Sequence, residues 1–258
     1  MFRRQYIIMI CFLLLFVRIN KVYGKELNEI NDWETRIELS YMNNSGAIGT
    51  QTLLGKINIK KENEKTRYFL KGNTQYGETY NSTNKSHEII LNKWLIDTRY
   101  ERMFTNKLFG FSSINYFDND FSGYDYNILI GSGCGYDIIK TKKHYLKGLL
   151  STLYSYDCFM ELENNNKIDK YGSEKIAIDY TFNISEDFTF KEIVDYLHSF
   201  KNNEKYFINS ETALEVKINT FLSLGFGYII NYQNNPPSSQ KDINCTEKTF
   251  TTSIIINL

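Results

Sequence analysis

A chain of 258 residues with 30 basic and 30 acidic side chains has no formal net charge, which excludes the one-signed field that draws nucleic acid or acidic partners. Mean hydropathy is −0.41, and past Gly24 no apolar run approaches the ~20 residues of a membrane-spanning helix. Yet 16% of the chain is aromatic, with 20 Tyr and 18 Phe, and only two prolines interrupt it. That combination suits long strands that hide their apolar side chains by alternation and carry aromatic rings at their rims.

The amino end reads as a secretory signal peptide over residues 1–24. Arg3 and Arg4 precede an unbroken apolar run from Ile7 to Val17, and Val22-Tyr23-Gly24 offers a cleavage site. Cys11 follows Ile10, not the small side chain that lipid attachment requires. The mature chain, 25–258, is expected to form one domain. In its first strand, 32–42, Trp33, Thr35, Ile37, Leu39 and Tyr41 share a face opposed by Glu34, Arg36, Glu38 and Ser40.

Similar period-two segments follow at 50–60, 66–80, 88–101, 107–116 and 124–139, then at 144–158, 173–183, 187–200, 209–218 and 221–232. In the third, Tyr68 and Leu70 oppose Arg67 and Lys71; in the fourth, Trp94, Ile96, Thr98 and Tyr100 oppose Asp97, Arg99 and Glu101. The last strand, 247–258, sets Phe250, Thr252, Ile254, Ile256 and Leu258 on one face. A free terminal strand with a bulky apolar last residue needs a partner for its edge, and the first mature strand supplies one. Twelve strands so arranged predict an all-β, antiparallel up-and-down transmembrane β-barrel. Segments of this length fit a tilted bilayer crossing better than the five or six residues usual in soluble sheets.

The connections alternate in character. Links at 61–65, 105–106, 141–143, around Glu186 and at 219–220 are tight, whereas those at 43–49, 81–87, 161–172, 201–208 and 233–246 are longer and more polar. Periplasmic turns opposite extracellular loops are the outer-membrane pattern, and an even strand number leaves both termini in the periplasm. The expected partners are therefore membrane lipid and, through the C-terminal strand, the outer-membrane insertion machinery, in a bacterial outer membrane.

The order and spacing of several short blocks resemble the bacterial salt-induced outer-membrane protein family, domain of unknown function 481. The blocks are Trp33, Asn44-Ser45-Gly46, Tyr76-Gly77-Glu78, Arg99-Tyr100 and Leu108-Phe109-Gly110. The longest is Asp120-Phe121-Ser122-Gly123-Tyr124-Asp125 with Gly131-Ser132-Gly133-Cys134-Gly135-Tyr136 after it. Later ones are Ser210-Glu211-Thr212-Ala213-Leu214, Lys217-Ile218-Asn219 and Asn235-Pro236-Pro237 with Asp242. Two positions depart from the family pattern: Asn127 stands where Arg is usual, and Leu258 ends the chain where Phe is usual. The resemblance implies a small outer-membrane barrel of unassigned biochemical role.

The candidate site is a set of lumen-facing charges, Glu34, Arg36, Glu38, Arg67, Asp97, Arg99 and Glu101, all expected in the periplasmic half. Mixed signs in a confined interior pair with one another, so these residues are expected to form a salt-bridge network that narrows the lumen, or simply to solvate it. Gly131, Gly133 and Gly135 alternate within a strand, which fails the context of a phosphate loop and instead predicts relief of crowding in a narrow barrel, or room for bulky side chains crossing from the opposite wall. No cofactor is expected. Asp118, Asp120 and Asp125 lack the ligand spacing of a known calcium loop. His87, His144 and His198 sit in no catalytic motif, and His198 and Ser199 point to opposite faces, so no enzymatic role is expected. Cys158 and Cys245 are both expected on the extracellular side, where a disulfide between them requires Cα atoms within ~7 Å. The functional expectation is a structural or weakly pore-forming barrel for small solutes or ions. The alternative is a surface barrel that binds or adheres through its extracellular loops.

Overall fold

Period-two alternation becomes strand at twelve places in the computed structural model, which describes residues 33–44, 48–81, 86–119, 122–163, 166–237 and 245–258. The proposed signal peptide lies outside the described residues, as do Ser45-Gly46, Asp120-Phe121 and Asp242. The first six strands are β1 (Trp33–Asn44), β2 (Ile48–Glu62), β3 (Thr66–Asn81), β4 (Ser86–Met103), β5 (Leu108–Asn119) and β6 (Tyr124–Lys140). They are followed by β7 (His144–Glu163), β8 (Asn166–Asn183), β9 (Phe188–Ser199), β10 (Tyr206–Lys217), β11 (Leu222–Gln233) and β12 (Thr246–Asn257). Each strand pairs antiparallel with its sequence neighbours, and β1 pairs with β12, which closes the barrel. This is the expected fold and strand number.

The links 63–65, 104–107, 141–143, 184–187 and 218–221 gather at one end, called here the turn end; the opposite end is the loop end. Much of what the sequence suggests as loop is in fact strand. The predicted 161–172 connection is mostly hairpin, with β7 running to Glu163 and β8 starting at Asn166. That segment is polar enough to pass for a loop. Its strand conformation is held by cross-strand partners instead: the Lys170 ammonium lies 5.1 Å from the Tyr156 ring, and the Tyr171 hydroxyl donates to Asp157 at 3.0 Å.

The barrel is inside out relative to a water-soluble one. Leu39, Ile96, Ile114, Ile130, Leu150, Ile176 and Ile254 all point outward and are exposed. Two aromatic bands border this surface. At the loop end Tyr116, Tyr126 and Tyr156 stack across β5–β6–β7, and Tyr196, Tyr206 and Tyr232 run across β9–β10–β11. At the turn end lie Tyr68 with Tyr100, and His144 with Phe182, Tyr180 and Phe190. On β6 the bands fall at Tyr126 and Tyr136, roughly 25 Å apart along the axis for a strand tilted about 40°.

Two rows of inward glycines give room to groups of the neighbouring strands. On β6, a Cβ at Gly131 would lie 2.3 Å from the Thr152 carbonyl, one at Gly133 would lie 2.1 Å from that of Leu150, and one at Gly135 would lie 2.2 Å from the Phe109 ring. On β11, a Cβ at Gly225 or Gly227 would lie 2.5 Å from Ser253 Oγ or 2.6 Å from Thr251 Oγ. Relief of crowding is thus confirmed, although the side chains that fill the space come from adjacent strands and not from the opposite wall. The two rows stand nearly diametrically opposed in the strand order.

Candidate functional site: the lumen charge network

Alternation sends every second side chain of a strand inward, and many of the charges that arrive there meet in three groups. The first, at the turn end, is centred on Arg67, which is 3% exposed. Its Nη1 donates to Glu101 Oε2 at 3.0 Å, its Nη2 donates to Asp137 Oδ2 at 2.7 Å, and its Nε lies 3.3 Å from Glu62. Glu101 and Asp137 are fully buried. Asp137 also accepts the Tyr145 hydroxyl at 2.8 Å. Arg99 Nε lies 2.9 Å from Glu101 Oε1 but off the hydrogen-bonding direction, so that contact is an ion pair only. Lys147 Nζ bridges Glu101 at 3.9 Å and Asp179 at 3.6 Å.

Aromatic rings support this group. The Arg67 guanidinium sits 5.1 Å from the Phe109 ring, and that of Arg99 sits 4.8 Å from Phe69 and 5.9 Å from Phe111. Phe111 and Phe109 occupy the space that Gly133 and Gly135 leave open. A β-bulge at Asp137/Ile139 follows directly, and bulges commonly re-aim side chains in this way.

The second group crosses the barrel interior. Arg36 Nη1 on β1 donates to Glu215 Oε2 on β10 at 2.7 Å, and Lys191 Nζ joins the same carboxylate oxygen at 3.0 Å. Lys56 on β2 meets Glu211 on β10 at 2.5 Å. Glu38 accepts Ser253 Oγ at 3.0 Å and lies 3.7 Å from Arg36. A circular twelve-stranded barrel about 24 Å across would hold strands four places apart at about 21 Å, yet extended Lys and Glu side chains bridge at most about 14 Å. At Lys56–Glu211 the interior is therefore narrower than in a circular barrel, with β10 drawn towards β2.

The third group closes the loop end. Lys205 Nζ donates to the fully buried Asp157 at 2.5 Å and lies 4.1 Å from the Tyr171 ring, with Tyr124 and Phe159 at 6.0 and 5.8 Å. Asn127 donates to the same Asp157, whose cation is Lys205. Gln233 on β11 donates to the Tyr124 hydroxyl on β6 at 2.9 Å, across the mouth, and Lys93 pairs with Glu247.

Of the sequence-predicted charges, Arg67, Arg99 and Glu101 meet in the first group, and Arg36 and Glu38 in the second. Glu34 pairs only at the rim, 3.8 Å from Lys60, and Asp97 stands across the ladder from Lys71, outside the groups. Asp137, Lys147, Glu211, Glu215 and Lys205 were missed. Inward parity marks the first four as candidates, but which wall faces which is not written in any one strand. His198 and Ser199 do lie on opposite faces, His198 stacked on Tyr196 and Ser199 buried. Cys134, Cys158 and Cys245 are all free thiols, which corrects the possible disulfide: Cys158 lies beside Asp125 on β6. Asp118 accepts the Tyr116 hydroxyl, Asp120 lies outside the described residues, and no metal-ligating cluster occurs among the described residues.

A closed antiparallel barrel with an apolar, aromatic-banded exterior and an ion-paired interior is a transmembrane β-barrel. The chain belongs to the family described as protein of unknown function, DUF481, whose profile matches residues 37–257. No curated protein matches its sequence. Among solved structures it is similar to the NanC porin, with 11% identity and a TM-score of 0.47 over 88% of this chain and 98% of that one. An outer membrane channel from Pseudomonas putida F1 is 4% identical with a TM-score of 0.49, over 91% and 97% of the two chains. The translocator domain of the autotransporter NalP from Neisseria meningitidis is 9% identical with a TM-score of 0.46, over 96% of each.

Proposed function

We propose that the protein is a bacterial outer-membrane barrel, structural or weakly conducting for ions and small solutes, whose lumen is held narrow by the charge network. The observation that carries this reading is the pair of aromatic bands bordering an apolar exterior roughly 25 Å tall, the hydrocarbon band of an outer-membrane barrel. In this reading the turn end faces the periplasm, residues 1–24 are removed on secretion, and the insertion machinery engages β12. The resemblance to the salt-induced family adds an expectation about expression, checked by comparing protein abundance at low and high NaCl.

Ion pairs that bridge facing walls oppose conduction in two ways. They occupy the cross-section, and they leave few unpaired charges to attract a permeating ion. Single-channel recording in planar bilayers tests the reading. The wild type is expected to pass a small current, and the Arg36→Ala/Arg99→Ala variant a larger one. An unchanged current in the variant defeats the constriction, and a wild-type protein recovered freely dissolved from periplasm defeats the membrane assignment.

A further inference from the structure

Two carboxylates face each other at the loop end of the lumen. Asp157 on β7 stands directly across the ladder from Asp169 on β8, a placement that like charges disfavour unless a cation lies between them. Lys205 supplies that cation: its Nζ donates to Asp157 Oδ2 at 2.5 Å and to Asp169 Oδ2 at 3.5 Å. It comes from neither strand. Lys205 is the last residue of the 200–205 link between β9 and β10, where its carbonyl accepts the Ser199 amide at 3.0 Å and its own amide donates to the Asn202 carbonyl at 2.9 Å.

The walls around the ammonium are aromatic. Tyr124, Phe159 and Tyr171 are all buried, and the first two stack with their ring centroids 5.3 Å apart. Several rings and a carboxylate around one cation are the features that recognise alkylated ammonium groups. Lys205 fills this cage off-centre. Its Nζ lies 4.1 Å from the Tyr171 ring but 5.8 and 6.0 Å from those of Phe159 and Tyr124, at the outer limit of a cation–π contact.

The carboxylates do not depend on Lys205 for their hydrogen bonds. Asp157 accepts Asn127 at Oδ1 and the Tyr171 hydroxyl at Oδ2, and Asp169 accepts Lys201 at Oδ1. What the cage requires of its occupant is positive charge. A lysine ammonium is compact and strongly hydrated, and its long stem loses rotamer freedom when held. A quaternary ammonium carries no N–H to desolvate and is broad enough to touch all three rings.

We propose that this cage is a binding site for the quaternary ammonium group of a small water-soluble solute, with Lys205 as its tethered competitor. A tethered group competes as a free one does at a concentration on the order of millimolar, so a solute at comparable concentration displaces it. The cage walls are buried inward side chains, which membrane lipid does not reach, so the solute enters from the loop end as Lys205 withdraws. The proposal names a class of solute recognised at the mouth of the narrow lumen, and it rests on the reading above for the mouth facing outward.

The test uses the full chain in octyl glucoside micelles, which carry no choline headgroup, with tetramethylammonium as the probe. Binding is followed by saturation-transfer NMR and by calorimetry at ionic strength held constant with sodium chloride. Wild type is expected to bind with a Kd on the order of millimolar, and Lys205→Ala about tenfold more tightly, because the competitor is gone. In the Lys205→Ala background, Tyr171→Leu should weaken binding about tenfold whereas Tyr171→Phe, which keeps the ring, should not. Folding of each variant is checked by the gel mobility of unheated sample. Lys205→Gln replaces Lys205→Ala if the latter does not fold, and wild type with Tyr171→Leu and Tyr171→Phe alone decides if neither does. Absence of binding to wild type reduces the cage to a structural ion pair and overturns the proposal. Binding unchanged by Lys205→Ala, or equal in the Tyr171→Leu and Tyr171→Phe variants, places the probe elsewhere and overturns it too. None of these results depends on a bilayer, so failure here leaves the membrane assignment standing, and a chain that does not insert into vesicles defeats that assignment without touching the cage.

Discussion

Replacing Arg67 with Ala is the sharpest probe of the lumen network, because Arg67 touches two of the three fully buried carboxylates among the described residues, Glu101 and Asp137. Removing one member of a buried ion pair costs about 3–5 kcal/mol, mostly because the partner charge stays behind without compensation. Two features hold the value towards the lower end. Asp137 keeps the Tyr145 hydroxyl and a distant Lys140 at 3.8 Å, and Glu101 keeps Arg99 at 2.9 Å. Loss of the stack on Phe109 adds about 0.5–1 kcal/mol. The expected destabilisation is thus about 3–4 kcal/mol. It is read from urea unfolding in lipid vesicles by tryptophan fluorescence with linear extrapolation, alongside the gel mobility of unheated and boiled samples. The double variant Arg67→Ala/Asp137→Asn should regain at least half the loss, since Glu101 keeps Arg99 and Lys147 and no buried carboxylate is left without a cation. An Arg67→Ala variant within about 1 kcal/mol of wild type, or a double variant no better than the single one, refutes the argument.

Other consequences are as direct. Gly135→Ala puts a methyl group 2.2 Å from the Phe109 ring and should cost about 1–3 kcal/mol, whereas Gly148→Ala, whose nearest neighbour would be Ile138 at 3.5 Å, should change stability by less than about 0.5 kcal/mol in the same unfolding assay. Lys56→Ala should raise the single-channel current by removing a bridge between facing walls; a current equal to wild type would show that this pair does not limit the passage. Lys205→Ala leaves Asp157 buried without its cation and should lower the urea midpoint by more than Lys201→Ala, because Lys201 meets only Asp169 at the exposed edge. Cys134, Cys158 and Cys245 should leave gel mobility unchanged by reductant, with Cys158 the slower of Cys134 and Cys158 to react with a thiol reagent in detergent, since it is buried and Cys134 is exposed.

Strand number, order and facing were legible because period two is a local signal. Trp33, Thr35, Ile37, Leu39 and Tyr41 declare a face without reference to any other part of the chain. Strand ends at the loop end were less legible, since a polar segment such as 166–170 looks like loop until Lys205 and Tyr156 are placed beside it. The site was half legible for the same reason. Arg67, Arg99 and Glu101 declare themselves inward, but nothing near them in sequence names Asp137 or Lys147 as their partners.

What links the two levels is reach across the lumen. Period two decides only that Arg36, Lys56, Glu211 and Glu215 point inward; the closed strand order decides that β10 stands three and four places from β1 and β2. Arg36–Glu215 and Lys56–Glu211 close at 2.7 and 2.5 Å, so the interior is narrow enough for extended side chains to meet across it. The narrowing of the lumen and the ion pairs across it therefore go together, and a side chain added at Gly225, which stands across the ladder from Glu215, should displace Glu215 and loosen Arg36–Glu215.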